Sequence, residues 1–266
     1  MKSAIFISVR TKSKRLPKKA LLEIKGKTVV EHLVDRLKLA KIPDLIVLCT
    51  STNPDDDILI DIARRNGIEY FRGSEDDVLY RYFKAAETFG VDFIVVALGD
   101  AIFCDPEYID KTIKLFEKTN ADFIKIPDLP IGSFTYGLKV EAVRKVCQIK
   151  DEEDTEVWGD YFTKSGIFNV KDLEVEEELK HPEVRLVIDY PEDFNLVKEI
   201  FERLYEKEKI ITLKGVLRLL KEKPELMDTN KECQKMYKEN LKKAPKAKFK
   251  KDILKLNKQK SEETSL

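Results

Sequence analysis

The sequence predicts an α/β fold with a doubly wound, mostly parallel sheet and a small inserted lobe. Short apolar runs rich in β-branched residues are typical of strands that are buried on both faces of such a sheet. These runs alternate with segments whose apolar residues recur at helical spacing, and the connections between them are short. Because parallel strands need crossover connections, this alternation indicates a succession of right-handed βαβ units.

The strands and helices of the first half follow one another without interruption. The apolar runs predict strands over residues 4–9, 45–49, 69–71, 93–98 and 122–126. Helical spacing and start signals predict helices over residues 28–40, 53–66, 74–90 and 105–118. Thr28 and Glu31 form a capping box at the first helix, Ser74 is the expected cap of the third, and Gly67 and Gly90 are expected stop signals.

The pattern weakens over residues 127–182, where we expect the inserted lobe to pack over the sheet. This stretch combines turn residues and acidic runs with only short candidate strands, at residues 134–140 and 165–170. Beyond it, the pattern returns with a buried strand over residues 184–188 and helices over residues 191–205 and 212–220. The 266 residues are enough for one large domain with an appendage, and we predict that the domain spans residues 1–230.

Residues 231–266 are predicted to form a lysine-rich helix and tail that is partly disordered. Within them, residues 241–266 contain nine lysines, three acidic residues and few apolar ones. Such a segment buries little apolar surface, so it is typical of a solvated appendage. A basic tail could contact nucleic acid or an acidic membrane, but a solvated tail is the simpler interpretation.

The composition excludes several classes of protein. The 49 basic and 49 acidic residues cancel, so no global charge favours nucleic acid or a membrane as a partner. The four cysteines lie far apart without a Cys-x-x-Cys pair, as expected of reduced thiols in a cytoplasmic protein. Only two histidines are present, which argues against a His-rich metal site and a Ser-His-Asp hydrolase. We find neither a signal peptide nor an apolar run of the roughly 20 residues that span a bilayer.

Three familiar patterns are present only in part. The Gly-Lys-Thr of residues 26–28 resembles the end of a P-loop, but Leu21 stands where that motif needs glycine. The three aspartates of residues 55–57 contain the D-x-D pattern of metal-dependent glycosyltransferases, yet acids in a first helical turn are equally what the helix dipole favours. No G-x-G-x-x-G sequence follows a predicted strand, so nothing supports dinucleotide binding.

The most informative segment is the basic loop, residues 8–19, which follows the first predicted strand. Doubly wound folds bind ligands at the carboxyl ends of their strands, so the loop lies where a ligand is expected. It carries six cationic residues: Arg10, Lys12, Lys14, Arg15, Lys18 and Lys19. Arginine offers forked hydrogen bonds to phosphate, and lysine offers a point charge. The loop therefore predicts a polyphosphate ligand.

The basic loop resembles the A-R-x-x-S-x-R-L-P-G-K signature of the cytidylyltransferases that make CMP-activated acidic sugars. These are the 3-deoxy-manno-octulosonate and acylneuraminate enzymes and their relatives of spore-coat polysaccharide biosynthesis, and the last branch is the most similar. The matching positions are Arg10, Ser13, Arg15, Leu16, Pro17 and Lys19. Lys18 stands where the family has glycine, and Ser8 where proline is common. Further matches lie at residues 52–56, 71–79, 99–100, 105–106 and 188–193, so the resemblance covers about residues 1–205. Residues 101–104 differ from the small-Pro-aliphatic-aliphatic stretch of the family.

This resemblance implies a Rossmann-like nucleotidyltransferase fold and an enzyme that transfers CMP from CTP to an acceptor and releases pyrophosphate. It implies that Arg10, Arg15 and Lys19 are catalytic and hold the β- and γ-phosphates. The implied nucleotide-binding residues are Val9, Ser13, Arg72, Gly73, Ser74 and Asp100, and the implied acceptor-binding residues are Tyr136 and Glu156. Because relatives are commonly homodimers, it also implies a homodimer.

Two aspartates are candidate ligands of Mg²⁺. Asp100 follows the predicted strand over residues 93–98, and Asp189 follows that over residues 184–188. Both are therefore expected at the sheet edge that carries the basic loop. Carboxylates beside a phosphate site suit Mg²⁺, which prefers oxygen ligands and shares them with substrate phosphates. The resemblance implies the same metal-binding role.

The acceptor is where the sequence departs from the family. Relatives often carry Arg-Glu-His where this chain has Thr155, Glu156 and Val157, so only the glutamate remains. A sugar acid or another anionic polyol is the expected acceptor. The alternatives are a nucleotidyltransferase that uses another nucleotide or a non-sugar acceptor, a catalytically retired protein that binds nucleotide sugars, and a glycosyltransferase that uses Asp55 and Asp57.

Overall fold

A seven-stranded sheet forms the centre of the protein. The structure, a computed structural model, describes residues 1–207, 209–243 and 246–250. In chain order the strands are β1 (Ser3–Ser8), β2 (Glu23–Ile24), β3 (Lys27–Thr28), β4 (Leu45–Ser51), β5 (Glu69–Gly73), β6 (Phe93–Leu98), β7 (Phe123–Lys125), β8 (Tyr136–Lys139) and β9 (Val170–Asp172). The α-helices are α1 (Val29–Leu37), α2 (Asp57–Arg65), α3 (Val78–Phe89), α4 (Pro106–Thr119), α5 (Val140–Ile149), α6 (Gly159–Thr163), α7 (Pro191–Leu204), α8 (Leu213–Glu222) and α9 (Lys231–Lys243).

The strand order of the sheet is β5-β4-β1-β6-β8-β7-β9, and β2 pairs with β3 in a separate hairpin. All pairs of the sheet are parallel except those of β8, which runs antiparallel to both β6 and β7. Helices α1, α2 and α4 pack on one face, where Leu33, Leu59 and Ile113 are fully buried. Helices α3 and α5 cover the other face with Leu79 and Val143. The prediction of a mostly parallel, doubly wound sheet is thus confirmed.

The predicted strand over residues 184–188 is not a strand of the sheet. Its only ladder contact is a single bridge between Arg185 and Ile131 among the described residues. Leu186 and Ile188 are fully buried, but they pack in a cluster with α7 and α8. Because burial under helices produces the same apolar run as burial in a sheet, the sequence pattern could not separate the two arrangements.

Two further boundaries differ from the prediction. Helix α3 begins at Val78, and its cap is Asp77, whose Oδ1 accepts a hydrogen bond from the amide of Tyr80 at 3.0 Å. Ser74 lies in the turn before the helix, where its hydroxyl accepts a hydrogen bond from the amide of Asp77 at 3.0 Å. Strand β9 begins only at Val170, because the segment predicted at residues 165–170 contains a turn at Gly166, where φ is +71°.

The segment predicted as an inserted lobe is continuous with the central sheet. Residues 127–182 supply β8 and β9 to it, and α5 packs beside α3 on one face. The division of the chain at residue 230 stays a prediction.

The described part of the C-terminal segment contacts the body both along α9 and near Phe249. On α9, the side chain of Cys233 is buried. Further along, Phe249 pairs with Lys150 in an antiparallel bridge, and its ring lies 5.4 Å from that of Tyr161. The disorder predicted for the end of the tail concerns residues that lie outside the described ones. Within the described ranges, no helix is both long enough and apolar enough to cross a bilayer.

Candidate active site

A buried carboxylate fixes the start of the basic loop. Asp56 is 1% exposed, and its Oδ1 accepts hydrogen bonds from the amide and the hydroxyl of Thr11, both at 2.7 Å. Its Oδ2 accepts from the hydroxyls of Thr50 and Ser51, at 2.8 and 2.5 Å, and from the amide of Ser51 at 3.2 Å. Burial alone would raise the pKa of Asp56, but these hydrogen bonds outweigh it and lower the pKa. Asp56 therefore sets the direction in which the loop leaves β1.

Lys18 gives the basic loop its turn. Its backbone is left-handed, with φ at 53° and ψ at 30°, and its amide donates to the carbonyl of Thr11 at 3.3 Å. This conformation costs a residue with a side chain about 1–2 kcal/mol relative to the right-handed one. Lys18 stands where the family signature has glycine, so the position keeps a backbone that glycine adopts freely.

At the end of the loop, Lys19 lies between two carboxylates. Its Nζ donates to Oδ2 of Asp100 and, at 2.7 Å, to Oδ1 of Asp189. Nη2 of Arg15 donates to the same oxygen of Asp189 at 2.6 Å. Burial would lower the pKa of the Lys19 ammonium, but the charges of Asp100 and Asp189 outweigh burial and raise it. We call Arg15, Lys19, Asp100 and Asp189 the charged cluster.

Asp100 reaches the cluster through a close approach of two strand ends. The amide of Gly99 donates to the carbonyl of Ser8 at 2.9 Å, directly after β6. A Cβ at Gly99 would lie 2.6 Å from Cβ of Val9, so a side chain at this position would push the two strand ends apart. Gly99 thereby allows Asp100 to sit beside the basic loop.

Asp189 is positioned by a buried network of polar groups and not by a sheet strand. The amide of Ile188 donates to the carbonyl of Asp100 at 3.1 Å, which ties the two aspartates together. Arg185 donates to Oδ2 of Asp189 at 3.2 Å and to both oxygens of Asp193 at 2.9 Å. The amide of Asp189 donates to Oδ2 of Asp193 at 3.0 Å. Burial would raise the pKa of Asp189, but Lys19 and Arg15 outweigh it and hold the pKa well below its usual range.

The residues of the cluster fit a divalent cation of the Mg²⁺ type. Oδ1 of Asp100 is buried and has no hydrogen-bond partner in the described part of the chain. The Lys19 ammonium bridges the two carboxylates, so a positive charge already occupies the position between them. No group of three His, Cys, Asp or Glu side chains converges on a metal-sized site within the described residues, so other ligands would come from substrate and water.

The other predicted nucleotide-binding residues lie at the same edge of the sheet. Val9 is 5% exposed at the end of β1, and its amide donates to the carbonyl of Cys49 at 3.2 Å. Ser13 is half-buried in the basic loop. Nε and Nη2 of Arg72 donate to the carbonyls of Ser51 and Asn53, at 3.1 and 2.9 Å, so this guanidinium holds the ends of β4 and β5 together.

Gly73 and Ser74 complete the edge formed by β5. The carbonyl of Gly73 accepts from the amide of Thr52 at 3.1 Å. A Cβ at Gly73 would lie 2.9 Å from Cγ of Arg81, which packs against the end of the strand. Arg81 also donates to the carbonyl of Ser74 at 2.6 Å. These contacts fix the backbone of the segment predicted to face the nucleoside.

Arg10 is not in contact with the charged cluster. Its Nη1 donates to the carbonyl of Glu75 at 3.0 Å, and its Nη2 pairs with the carboxylate of Glu156 at 3.0 Å. Glu156 is held in place by its neighbour Thr155, whose hydroxyl donates to Asp77 at 3.0 Å at the start of α3. Both residues were predicted from the sequence for the active site, and in the structure they form an ion pair.

Tyr136 belongs to an aromatic group on β8. Its ring centroid lies 5.1 Å from that of Trp158, 5.5 Å from Phe134 and 5.9 Å from Phe123. Burial, together with the nearby phenol of Tyr237, raises the pKa of Tyr136, and the charge of Asp100 acts in the same direction. Tyr136 therefore lies within electrostatic range of Asp100.

Three residues of the site escaped prediction. Asp56 lies among three consecutive acids, and only the structure separates the buried one from its exposed neighbours. Arg185 is a cation within an apolar run, which is a signal that it has buried partners. Tyr237 lies on α9, in a segment whose composition predicts a solvated helix.

The comparison with protein families identifies one match. The model of the family described as cytidylyltransferase matches residues 4–222 of the chain.

The chain is also similar to individual proteins over most of its length. It is 30% identical to an uncharacterized protein of Methanocaldococcus jannaschii, and the match covers 90% of this chain and 99% of that protein. It is 29% identical to the spore coat polysaccharide biosynthesis protein SpsF of Bacillus subtilis, over 76% of this chain and 87% of SpsF. Among solved structures, a cytidylyltransferase of Leptospira borgpetersenii superposes with a TM-score of 0.78 at 26% identity, covering 85% of this chain and 97% of that one.

Proposed function

The chain belongs to the cytidylyltransferase family, and on that premise we propose that it transfers CMP from CTP to a hydroxyl group of an anionic acceptor. The observation that carries the proposal is the charged cluster. In it, two cations of the basic loop meet two carboxylates from distant parts of the chain. Transfer of a nucleotidyl group depends mainly on alignment and on neutralisation of charge, and this cluster offers both.

The nucleotide side of the proposal uses the basic loop. Arg10, Arg15 and Lys19 hold the β- and γ-phosphates and stabilise the charge of the leaving pyrophosphate. Without nucleotide, Arg15 and Lys19 pair with the carboxylates of the cluster, so phosphate oxygens compete with those carboxylates for the same donors. The residues proposed for the nucleoside and the α-phosphate are Val9, Ser13, Arg72, Gly73, Ser74 and Asp100.

Asp100 and Asp189 would hold Mg²⁺ in this reaction. When bound, the ion neutralises phosphate charge and supports an in-line arrangement of the reacting oxygens. The support from the chain is Oδ1 of Asp100, which is buried and has no hydrogen-bond partner in the described part of the chain, and the hydrogen bond from Ile188 that keeps Asp189 close to Asp100. Asp100 and Asp189 would hold the ion, and Lys19, which donates to both carboxylates, would then be available to the phosphates.

The bonds of the reaction balance simply. The acceptor oxygen attacks the α-phosphorus of CTP, and an oxygen–phosphorus bond forms as the hydroxyl gives its proton to solvent water. The bond from the α-phosphorus to the oxygen that bridges to the β-phosphate breaks, and pyrophosphate leaves with the electron pair. Arg15 and Lys19 are the residues positioned to balance the charge that develops on this leaving group.

The acceptor is proposed to be a sugar acid or another anionic polyol. Tyr136 and Glu156 are the proposed acceptor-binding residues. Glu156 forms an ion pair with Arg10 at 3.0 Å, so the proposed acceptor-binding glutamate lies beside the basic loop. The acceptor segment lacks the cation and the histidine of relatives, so the chain's preference among acids is expected to differ from theirs.

A screen of pyrophosphate release tests the proposal. CTP, UTP, GTP and ATP are each combined with Mg²⁺ and with 3-deoxy-manno-octulosonate, an acylneuraminate or a phosphorylated polyol. We expect release with CTP and at least one acid. Lys19→Ala is expected to abolish it, whereas Lys14→Ala, an exposed cation of the same loop, serves as the matched control. Release with another nucleotide alone, or no release with any pair, would contradict the proposal.

Three further properties are proposed. The family resemblance supports a requirement for Mg²⁺ and a homodimeric state, and the four unpaired cysteines support a location in the cytoplasm. Light scattering of the purified chain tests the homodimer, and chelation followed by addition of Mg²⁺ tests the cofactor.

A further inference from the structure

Helix α9 brings a tyrosine to the charged cluster from outside the matched family region. The family match ends at residue 222, and α9 begins at Lys231. The ring centroid of Tyr237 lies 5.3 Å from the guanidinium carbon of Arg185. Arg185 in turn donates to Asp189 at 3.2 Å, so Tyr237 is separated from a carboxylate of the cluster by one side chain.

Several contacts hold α9 in this position. Nη1 of Arg185 donates to Oε1 of Gln234 at 3.2 Å, one turn before Tyr237. The side-chain amide of Asn240 donates to the hydroxyl of Tyr190 at 3.0 Å, one turn after it. Cys233 is buried on the same helix. The tyrosine is therefore fixed from both sides along the helix, and its place beside Arg185 does not depend on one contact.

The phenol of Tyr237 lies within electrostatic range of the phenol of Tyr136. Burial raises the pKa of Tyr237, and the charges of Asp189 and Asp100 add to the increase. The effect of Tyr237 on the pKa of Tyr136 indicates that the two phenols are near each other. Within residues 1–207, 209–243 and 246–250, no side-chain hydrogen bond joins either hydroxyl to another residue. Half-buried phenols usually find a partner, so two phenols without one in this part of the chain, beside the charged cluster, are suited to a ligand.

We propose that Tyr237 is a specificity-determining residue that, with Tyr136, recognises hydroxyl groups of the acceptor. The inference rests on the proposed cytidylyl transfer and identifies residues that would select the acceptor. Two neutral phenols can each donate and accept one hydrogen bond, and they stand beside cations that attract a carboxylate. That combination fits a polyhydroxylated acid and disfavours an acceptor that is apolar next to its reacting hydroxyl.

The first test measures the position of Tyr237 and needs no acceptor. The full chain is labelled with 3-fluorotyrosine, and its fluorine resonances are recorded with CTP and Mn²⁺. Tyr237→Phe and Tyr136→Phe identify the two resonances, and Tyr205, at the end of α7 and about 20 Å along that helix from Asp189, provides the distant control. We expect Mn²⁺ with CTP to broaden the resonances of Tyr237 and Tyr136 and to leave that of Tyr205 sharp. A sharp Tyr237 resonance while CTP and Mn²⁺ are bound would overturn the inference, whereas failure of CTP to bind would overturn the proposed function first.

The second test measures recognition. With CTP and 3-deoxy-manno-octulosonate or an acylneuraminate, Tyr237→Phe should raise the KM of the acid about tenfold, the effect of one lost hydrogen bond. The KM of CTP should change by less than about twofold, because the nucleotide lies on the basic loop. Lys238→Ala, an exposed neighbour on α9, should change neither constant. An unchanged KM of the acid in Tyr237→Phe, or turnover of neither acid by the wild type while CTP binds, would refute Tyr237 as a reader of such acceptors.

Discussion

Replacing Asp56 by asparagine should destabilise the protein more than any other change in the run of three aspartates. The amide oxygen of the new side chain would still accept from Thr11, but an NH₂ group would replace the oxygen that now accepts three hydrogen bonds. The hydroxyls of Thr50 and Ser51 can rotate to accept from this group, whereas the amide of Ser51 cannot and is left buried without a partner. A lost hydrogen bond to a charged group together with an unsatisfied donor costs about 2–4 kcal/mol.

Urea unfolding of the two proteins measures this loss. The single tryptophan, Trp158, is 6% exposed and reports unfolding through its fluorescence. The matched control is Asp55→Asn, because Asp55 is exposed and interacts mainly with the helix dipole, which is worth about 0.3–1 kcal/mol. CTP affinity should fall with Asp56→Asn and not with Asp55→Asn, since only Asp56 orients the basic loop.

The pH dependence gives a second view of the same group. The pKa of Asp56 is lowered in the folded protein, so its stabilisation is fully present above the unfolded pKa of about 3.9. It is lost as the pH falls through the lower, folded pKa. The difference in unfolding free energy between wild type and Asp56→Asn should therefore be constant from pH 7 to about 5 and should shrink below about 4. A loss under about 1 kcal/mol at pH 7, or an equal loss in Asp55→Asn, would refute this account of the loop.

Three other predictions follow from the charged cluster and the turn beside it. Asp100→Asn and Asp189→Asn should each reduce turnover by orders of magnitude and keep CTP binding in the absence of metal. The double variant should be little worse than either single one, because residues that serve one ion act as a unit. A loss equal to the product of the two single losses would show separate roles. Arg15→Ala should weaken CTP binding by about 1.5–3 kcal/mol in calorimetry and should barely affect CMP, whereas equal losses would place the triphosphate elsewhere. Lys18→Gly should leave the free energy of unfolding unchanged or raise it by up to about 1 kcal/mol, because relief of the left-handed backbone is partly offset by the greater conformational entropy of glycine in the unfolded chain. Lys18→Val should lower the free energy of unfolding. A more stable Lys18→Val than Lys18→Gly would contradict the assigned backbone conformation.

The parallel strands of the sheet could be predicted because strands that are buried on both faces are continuous apolar runs. Strands β1 and β6 are continuous apolar runs, and β6 was predicted at its observed limits, Phe93–Leu98. Residues 184–188 were wrongly predicted as a strand of the sheet, because residues buried under helices form the same kind of apolar run. Asp189 nevertheless reaches Asp100, through the hydrogen bond from Ile188 to its carbonyl.

The site was predictable where a residue type at a given place implies chemistry, and not where it depends on tertiary contacts. Lys19, Asp100 and Asp189 were predicted at one sheet edge from their positions after strands and loop, and the structure brings them together. The burial of Asp56 among exposed acids cannot be read from local sequence. Tyr237 was missed for a related reason, since a helix rich in lysine can still bury one face against a neighbour.

The bridge between Phe249 and Lys150 has a consequence for how the protein is made. Lys150 also donates to Asp77 at 2.5 Å, and Asp77 receives the hydroxyl of Thr155, next to Glu156. The loop that carries Glu156 is thus held through Lys150 by a segment around Phe249, which is synthesised almost a hundred residues later. During synthesis, β1, β4, β5 and β6 can assemble around the basic loop well before this contact exists. A nascent chain can therefore form the basic loop and its strands first, and the contacts that fix the loop carrying Glu156 become complete only when Phe249 has been translated.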